Sequence, residues 1–137
     1  MNADAEQRQA LLGRVALRGR PIAHPDSMVI EGNTRFTILT SRLVRMEWSE
    51  KGEFEDRSSY AFPTRLAPPP AFTAYTDGDQ LSIDTGPLHL RYRLGSGRFT
   101  STSLSIAYEL QGQHQSWAPW TPNLKNLRGT RRTLDGC

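Results

Sequence analysis

The sequence has a single cysteine, Cys137, at its last position. An intramolecular disulfide is therefore excluded, as is a metal site built on cysteines. That scarcity suits a reducing compartment, and the chain reads as cytoplasmic. Long apolar runs are missing too. No stretch approaches the ~20 apolar residues of a membrane span, and the first twenty positions, which include Asp4 and Glu6, contain no signal-length apolar segment. Lysine is nearly absent: all but two of the 17 basic residues are arginines, set against 14 acidic residues for a net charge of +3. The pI of about 9.4 reflects that small excess. The basic residues are interleaved with Asp and Glu rather than gathered on a stripe, which argues against a nucleic-acid partner.

What remains is a chain of 137 residues, 36% hydrophobic and 23% charged, with a mean hydropathy of −0.57. One domain with a modest core fits these values. A (β/α)8 barrel, at roughly 250 residues, does not.

Along the chain, two regions separate: an N-terminal extension over residues 1–32 and a strand-rich domain over residues 33–137. Leu11, Leu12, Val15 and Ala16 recur at helical spacing and predict a short amphipathic helix over 5–18, ending near Gly19-Arg20-Pro21. Pro21 to Gly32 reads as an irregular lead-in. From Asn33 the period becomes two. Strands are expected over Thr34–Thr40, Arg42–Ser49, Gln80–Thr85, Pro87–Leu94 and Ser103–Leu110, with one face buried and the other wet. Two further strands are expected around Ser58–Phe62 and Ala71–Thr76. Turn residues lie between them at Glu50-Lys51-Gly52, Thr76-Asp77-Gly78-Asp79 and Gly95-Ser96-Gly97. No helical pattern separates the strands, so the expected fold is all-β, an antiparallel sandwich or open barrel. After Gln111 the periodicity lapses, and Trp117 to Cys137 reads as a long loop.

Few residues carry a chemical signature. Glu53, Glu55 and Asp56 lie together, but a glycosidase pair must face each other across a bond. Pairing of Glu55 or Asp56 with Arg57, or with backbone N–H groups, is the simpler expectation. His24, His89 and His114 stand far apart, and with no HExxH pattern no metal site is assigned. His89 falls on the polar face of its strand. There is no GxSxG, and Gly95-Ser96-Gly97 is a tight turn rather than a phosphate loop. Trp117 and Trp120, in Trp117-Ala118-Pro119-Trp120, are the candidate binding residues, because exposed indoles present flat faces to sugar rings or partner surfaces.

Two segments carry a family resemblance. Arg35 to Ser49, followed by Gly52-Glu53-Phe54-Glu55-Asp56-Arg57-Ser58, resembles the opening strand pair and "FEDR" turn of family 31 glycoside hydrolases, the α-glucosidase and α-xylosidase group. Asn123 to Gly136, with Asn123-Leu124, Gly129-Thr130 and Arg132-Thr133-Leu134-Asp135, looks like the family's "NL-GT-RTLD" segment. The resemblance implies the family's N-terminal β-sandwich, similar in fold to galactose mutarotase, which packs on a (β/α)8 barrel. In that family the barrel carries both catalytic aspartates, in motifs this sequence lacks, so no catalytic residue transfers.

The resemblance therefore implies an incomplete sandwich, the first part of a longer retaining α-glycosidase or a gene remnant of one, with no cofactor and no activity of its own. Its partner is the catalytic barrel of the same parent enzyme, and some apolar face or strand edge is expected to lie uncovered. Two alternatives use other features: a self-standing carbohydrate-binding module with Trp117 and Trp120 as its platform, and an interaction module using the N-terminal helix.

Overall fold

The computed structural model describes residues 19–122. The expected N-terminal helix and the Asn123–Gly136 segment lie outside the described residues. Eight strands follow one another: β1 (Met28–Glu31), β2 (Thr34–Thr40), β3 (Leu43–Trp48), β4 (Thr73–Asp77), β5 (Gln80–Asp84), β6 (Leu88–Arg93), β7 (Leu104–Leu110) and β8 (Gln113–Trp117). The helical content among the described residues is one 3-10 turn, Pro25–Ser27. No described helix is long and apolar enough to cross a membrane.

Every pairing is antiparallel between sequence neighbours, giving a three-stranded sheet β1-β2-β3 and a five-stranded sheet β4-β5-β6-β7-β8. Two meanders of this kind need only short turns within each sheet. The long connection over residues 49–72 carries the chain from one sheet to the other.

The two layers meet through their apolar rows. On the small sheet, Phe36 pairs with Met46 and Ile38 with Val44. On the large sheet, Leu81 pairs with Tyr92, Ile83 with Leu90, and Tyr92 in turn with Leu104. Phe36, Ile38, Leu81, Ile83, Leu90, Tyr92 and Leu104 form one buried cluster, as the inner faces of a sandwich do. Its densest part is aromatic. The Phe36, Tyr92 and Phe99 rings lie 5.3 to 5.7 Å apart, with Tyr92 edge-on to Phe99 at 80°. The buried Tyr92 hydroxyl donates to the Gly97 carbonyl at 2.9 Å, so no polar group is stranded there.

Four expectations change. Within the supposed lead-in, Met28–Glu31 pairs with β2 as an edge strand, in a run too short to show a period. Ser58–Phe62 is not a strand; Ser58 and Ser59 make local bonds to Pro63 and Phe62 instead. No strand is expected after Gln111, where periodicity lapses, yet Gln113–Trp117 is β8, a strand of mostly polar residues without apolar alternation. Its turn places Gln111 (φ 53°) and Gly112 (φ 74°) in the left-handed region, as a tight hairpin requires. Finally, β2 does not have one wet face: Thr34, Arg35, Phe36, Thr37 and Ile38 are all buried.

Candidate functional site

The outer face of the small sheet is roofed by the connection that follows β3. Register puts Arg35 opposite Glu47 and Thr37 opposite Arg45 on that face. Opposite charges facing each other across strands attract, and the guanidinium fork matches a carboxylate at two points. Arg35 donates through Nε to Glu47 Oε2 at 2.8 Å and through Nη2 to Oε1 at 3.2 Å. Arg35 Nη1 lies 2.8 Å from Asp56 Oδ1, and its guanidinium sits 4.8 Å from the Phe54 ring centre. Glu47 Oε1 also receives Arg45 Nη2 at 2.8 Å and the Glu55 backbone N–H at 3.2 Å. Three of these contacts converge on Oε1 and one on Oε2, so the Glu47 carboxylate ties both strands to the connection above them.

One carbonyl is the focus of the roof. Glu55 O accepts from Arg35 Nη2 (3.3 Å), Arg45 Nη2 (3.0 Å) and Arg65 Nη1 (3.1 Å). Arg65 is buried and also reaches the carbonyls of Pro21 (3.0 Å) and Arg57 (2.8 Å), which ties the N-terminal approach to the roof. Its Nε is the one buried side-chain polar atom among the described residues without a partner. Gly19 is demanded by the same junction: a Cβ there would stand 1.9 Å from the Pro63 carbonyl oxygen.

The charges respond to this crowding. Burial pulls the Arg35 guanidinium down, but hydrogen bonds and attraction from Glu47 and Asp56 outweigh it and hold it above its ordinary value. Arg45 is lowered by burial and by the neighbouring Arg65 and Arg35, with Glu47 offsetting only part. Outside the roof, Glu55 turns its carboxylate to Arg57, at 2.6 Å from Nη2. Side-chain and backbone hydrogen bonds from Arg57 hold Glu55 down at about 2, and Arg57 is raised in return. Glu55 thus pairs with Arg57, while Asp56 reaches Arg35 instead.

Trp117 and Trp120 come from different settings. Trp117 closes β8 opposite Ile106, at the free edge of the large sheet, and is 40% exposed. Trp120 lies beyond it, 86% exposed, at φ 65°. The turn between them is closed by Thr121, whose hydroxyl and backbone N–H both donate to the Ala118 carbonyl. His89 lies on the outer face of β6, its Nδ1 2.9 Å from Asp84 Oδ2. His24 caps the 3-10 turn by accepting from the Asp26 N–H, and His114 pairs in register with Glu109. No group of three His, Cys, Asp or Glu placed to hold a metal ion is present among the described residues. Gly95-Ser96-Gly97 is a turn, with positive φ at both glycines.

Sequence reading missed Arg35, Arg45 and Arg65. The alternation showed that Arg45 opposes the apolar face of its strand, but only the register pairs Arg35 with Glu47. No family model matches this chain, and no curated protein matches it in sequence.

Proposed function

We propose that this chain is the N-terminal, non-catalytic β-sandwich of a retaining α-glycosidase of the family 31 type, bracing a (β/α)8 barrel and helping to shape the mouth of its active site. The observation that carries this reading is the unequal size of the two layers. Three strands lie against five, and burial fades outward from the covered centre. On β7, Leu104 is buried, Ile106 and Tyr108 are half-buried, and Leu110 is 57% exposed. In register with them, Trp117 extends the row Ala74–Ile83–Leu90–Ile106 to the edge of the sheet. An apolar strip beside an unpaired strand edge is a surface that a larger assembly covers.

The turn that carries the resemblance has a structural job as well. Phe54, the Glu55 carbonyl and Asp56 close over Arg35, so that turn holds the small sheet's outer face shut. In the parent enzyme, hydrolysis with retention uses two carboxylates roughly 5 to 5.5 Å apart, supplied by the barrel and without a cofactor. The purified chain is expected to show no turnover of a chromogenic α-glucoside or α-xyloside, and the transcript past codon 137 to encode a barrel. Turnover above the blank, or an open frame encoding some other fold, would overturn the reading.

One observation favours a second reading, a carbohydrate-binding module. The Trp120 indole stands in solvent on a left-handed backbone that costs a non-glycine residue energy. Calorimetry with an oligosaccharide would then show binding that Trp120→Ala or Trp117→Ala removes. Unchanged binding in both variants dismisses this reading.

A further inference from the structure

The two sheets leave a cleft at one end of the sandwich, where the β1–β2 turn faces the residues after β6. Its volume is about 360 Å³, within the range of small-molecule sites. Glu31 and Asn33 line it from the turn, Trp48 from the end of β3, Tyr92 from β6, and Leu94 and Gly95 from the turn after it. Its surface is thus a flat indole beside aliphatic and aromatic carbon, with a few polar groups at the rim.

Those polar groups are fixed but not used up. Asn33 donates its amide to the Glu50 carbonyl at 3.1 Å, which orients the side chain and leaves its own carbonyl oxygen as an acceptor. The Glu31 carboxylate takes part in none of the ion pairs among the described residues. Arg98 lies over the Trp48 ring, 5.2 Å from its centre, which sets the plane of the indole. Gly95, at φ 70°, has nothing within 4 Å of where a Cβ would stand, so the rim there is open. The charges narrow the ligand class. An anion would meet the Glu31 carboxylate, the one charged side chain that lines the cleft. A neutral ring with a C–H face for the indole and hydroxyls for Glu31 and Asn33 does not meet that objection.

We propose that this cleft binds a neutral pyranose, with Trp48 as the stacking wall and Glu31 and Asn33 as hydroxyl acceptors. The site stands apart from the strip on β7 and β8, and it is independent of the bracing role.

The test follows the three indole N–H resonances of the full chain by NMR, with the Trp48 signal assigned by Trp48→Phe. Methyl α-D-glucopyranoside, methyl α-D-mannopyranoside and methyl β-D-galactopyranoside are titrated in turn, with glucuronate as the anionic counterpart. The Trp48 resonance should shift saturably with at least one neutral pyranoside and less with glucuronate. Glu31→Gln should weaken that binding about tenfold, as the loss of one charge-assisted hydrogen bond does. The proposal is overturned by no saturable shift with any of the three, by equal affinity in Glu31→Gln, or by shifts confined to Trp117 and Trp120. None of these outcomes bears on whether the chain docks on a barrel.

Discussion

Arg35 and Glu47 face each other across β2 and β3 in a two-point contact that water barely reaches, with side chains 6% and 13% exposed. The pair is the keystone of the small sheet's outer face, since the roof over it is held by the same two side chains. A buried ion pair adds little net stability over a well-packed apolar pair, because desolvation offsets the attraction. Its loss by halves is a different matter.

Arg35→Met should therefore destabilise the domain by about 3 kcal/mol, because Glu47 is left buried with fewer donors and Asp56 loses its partner. The double variant Arg35→Met, Glu47→Leu should recover much of that loss. Urea unfolding of the four members of the cycle measures both numbers. If the double variant is the less stable of the two, the pair is not acting as an offsetting buried unit.

Glu55 is expected to titrate far from its ordinary value. Hydrogen bonds from Arg57 depress its carboxyl from 4.5 to about 2. A carboxyl lowered in the folded state contributes stability that is present above its unfolded value, and that contribution fades as pH falls from about 4.5 through about 2. A carbon-detected NMR titration should place the Glu55 midpoint near the lower figure. In Arg57→Ala the midpoint should return toward the upper one. A midpoint that does not move would show that Arg57 is not the cause.

The aromatic centre should separate packing from hydrogen bonding. Phe36→Ala removes a fully buried ring that touches both Tyr92 and Phe99, and losses of about 3 to 5 kcal/mol are expected for such a change. Tyr92→Phe keeps the ring and removes only the bond to the Gly97 carbonyl, which should cost about 1 kcal/mol. Chemical denaturation that finds the two equal would contradict the packing described.

Trp120 and Trp117 should respond oppositely to glycine. At φ 65° Trp120 sits where a side chain is penalised by roughly 1–2 kcal/mol, and glycine relieves this while freeing the unfolded chain. Trp120→Gly should leave the thermal midpoint unchanged or higher. Trp117→Gly removes the cross-strand partner of Ile106 from β8 and should lower the midpoint, by the equivalent of about 1 kcal/mol. Calorimetric scans of the two variants check the contrast.

Strands with a regular alternation could be read directly from residue types. Leu88, Leu90 and Tyr92 against His89, Arg91 and Arg93 set the two faces of β6 without any knowledge of its neighbours. The same reading failed at β1 and β8, each for a physical reason. Met28–Glu31 is an edge strand of four residues that pairs only with β2. Gln113–Trp117 is held by its ladder to β7 and by a tight turn at Gln111-Gly112, while its side chains are mostly polar. Backbone pairing leaves no mark on composition when neither face is buried.

The candidate sites divide in the same way. The turn residues Phe54 to Arg57 stood out in sequence, as did Trp117 and Trp120. That three guanidiniums meet on the Glu55 carbonyl could not be read there, nor that Trp48 and Glu31 line one cleft.

The amino-acid order by itself determined that the molecule is built from antiparallel strands, and which side chains of most strands are apolar, because that pattern depends on neighbours one and two residues away. Tertiary structure alone decided that β2 is buried on both faces, that Arg35 is satisfied by Glu47 and Asp56, and that the apolar row is left open at Trp117. Those facts depend on strand register and on a connection folding back over a sheet, and a register is a relation between distant segments that no single segment encodes.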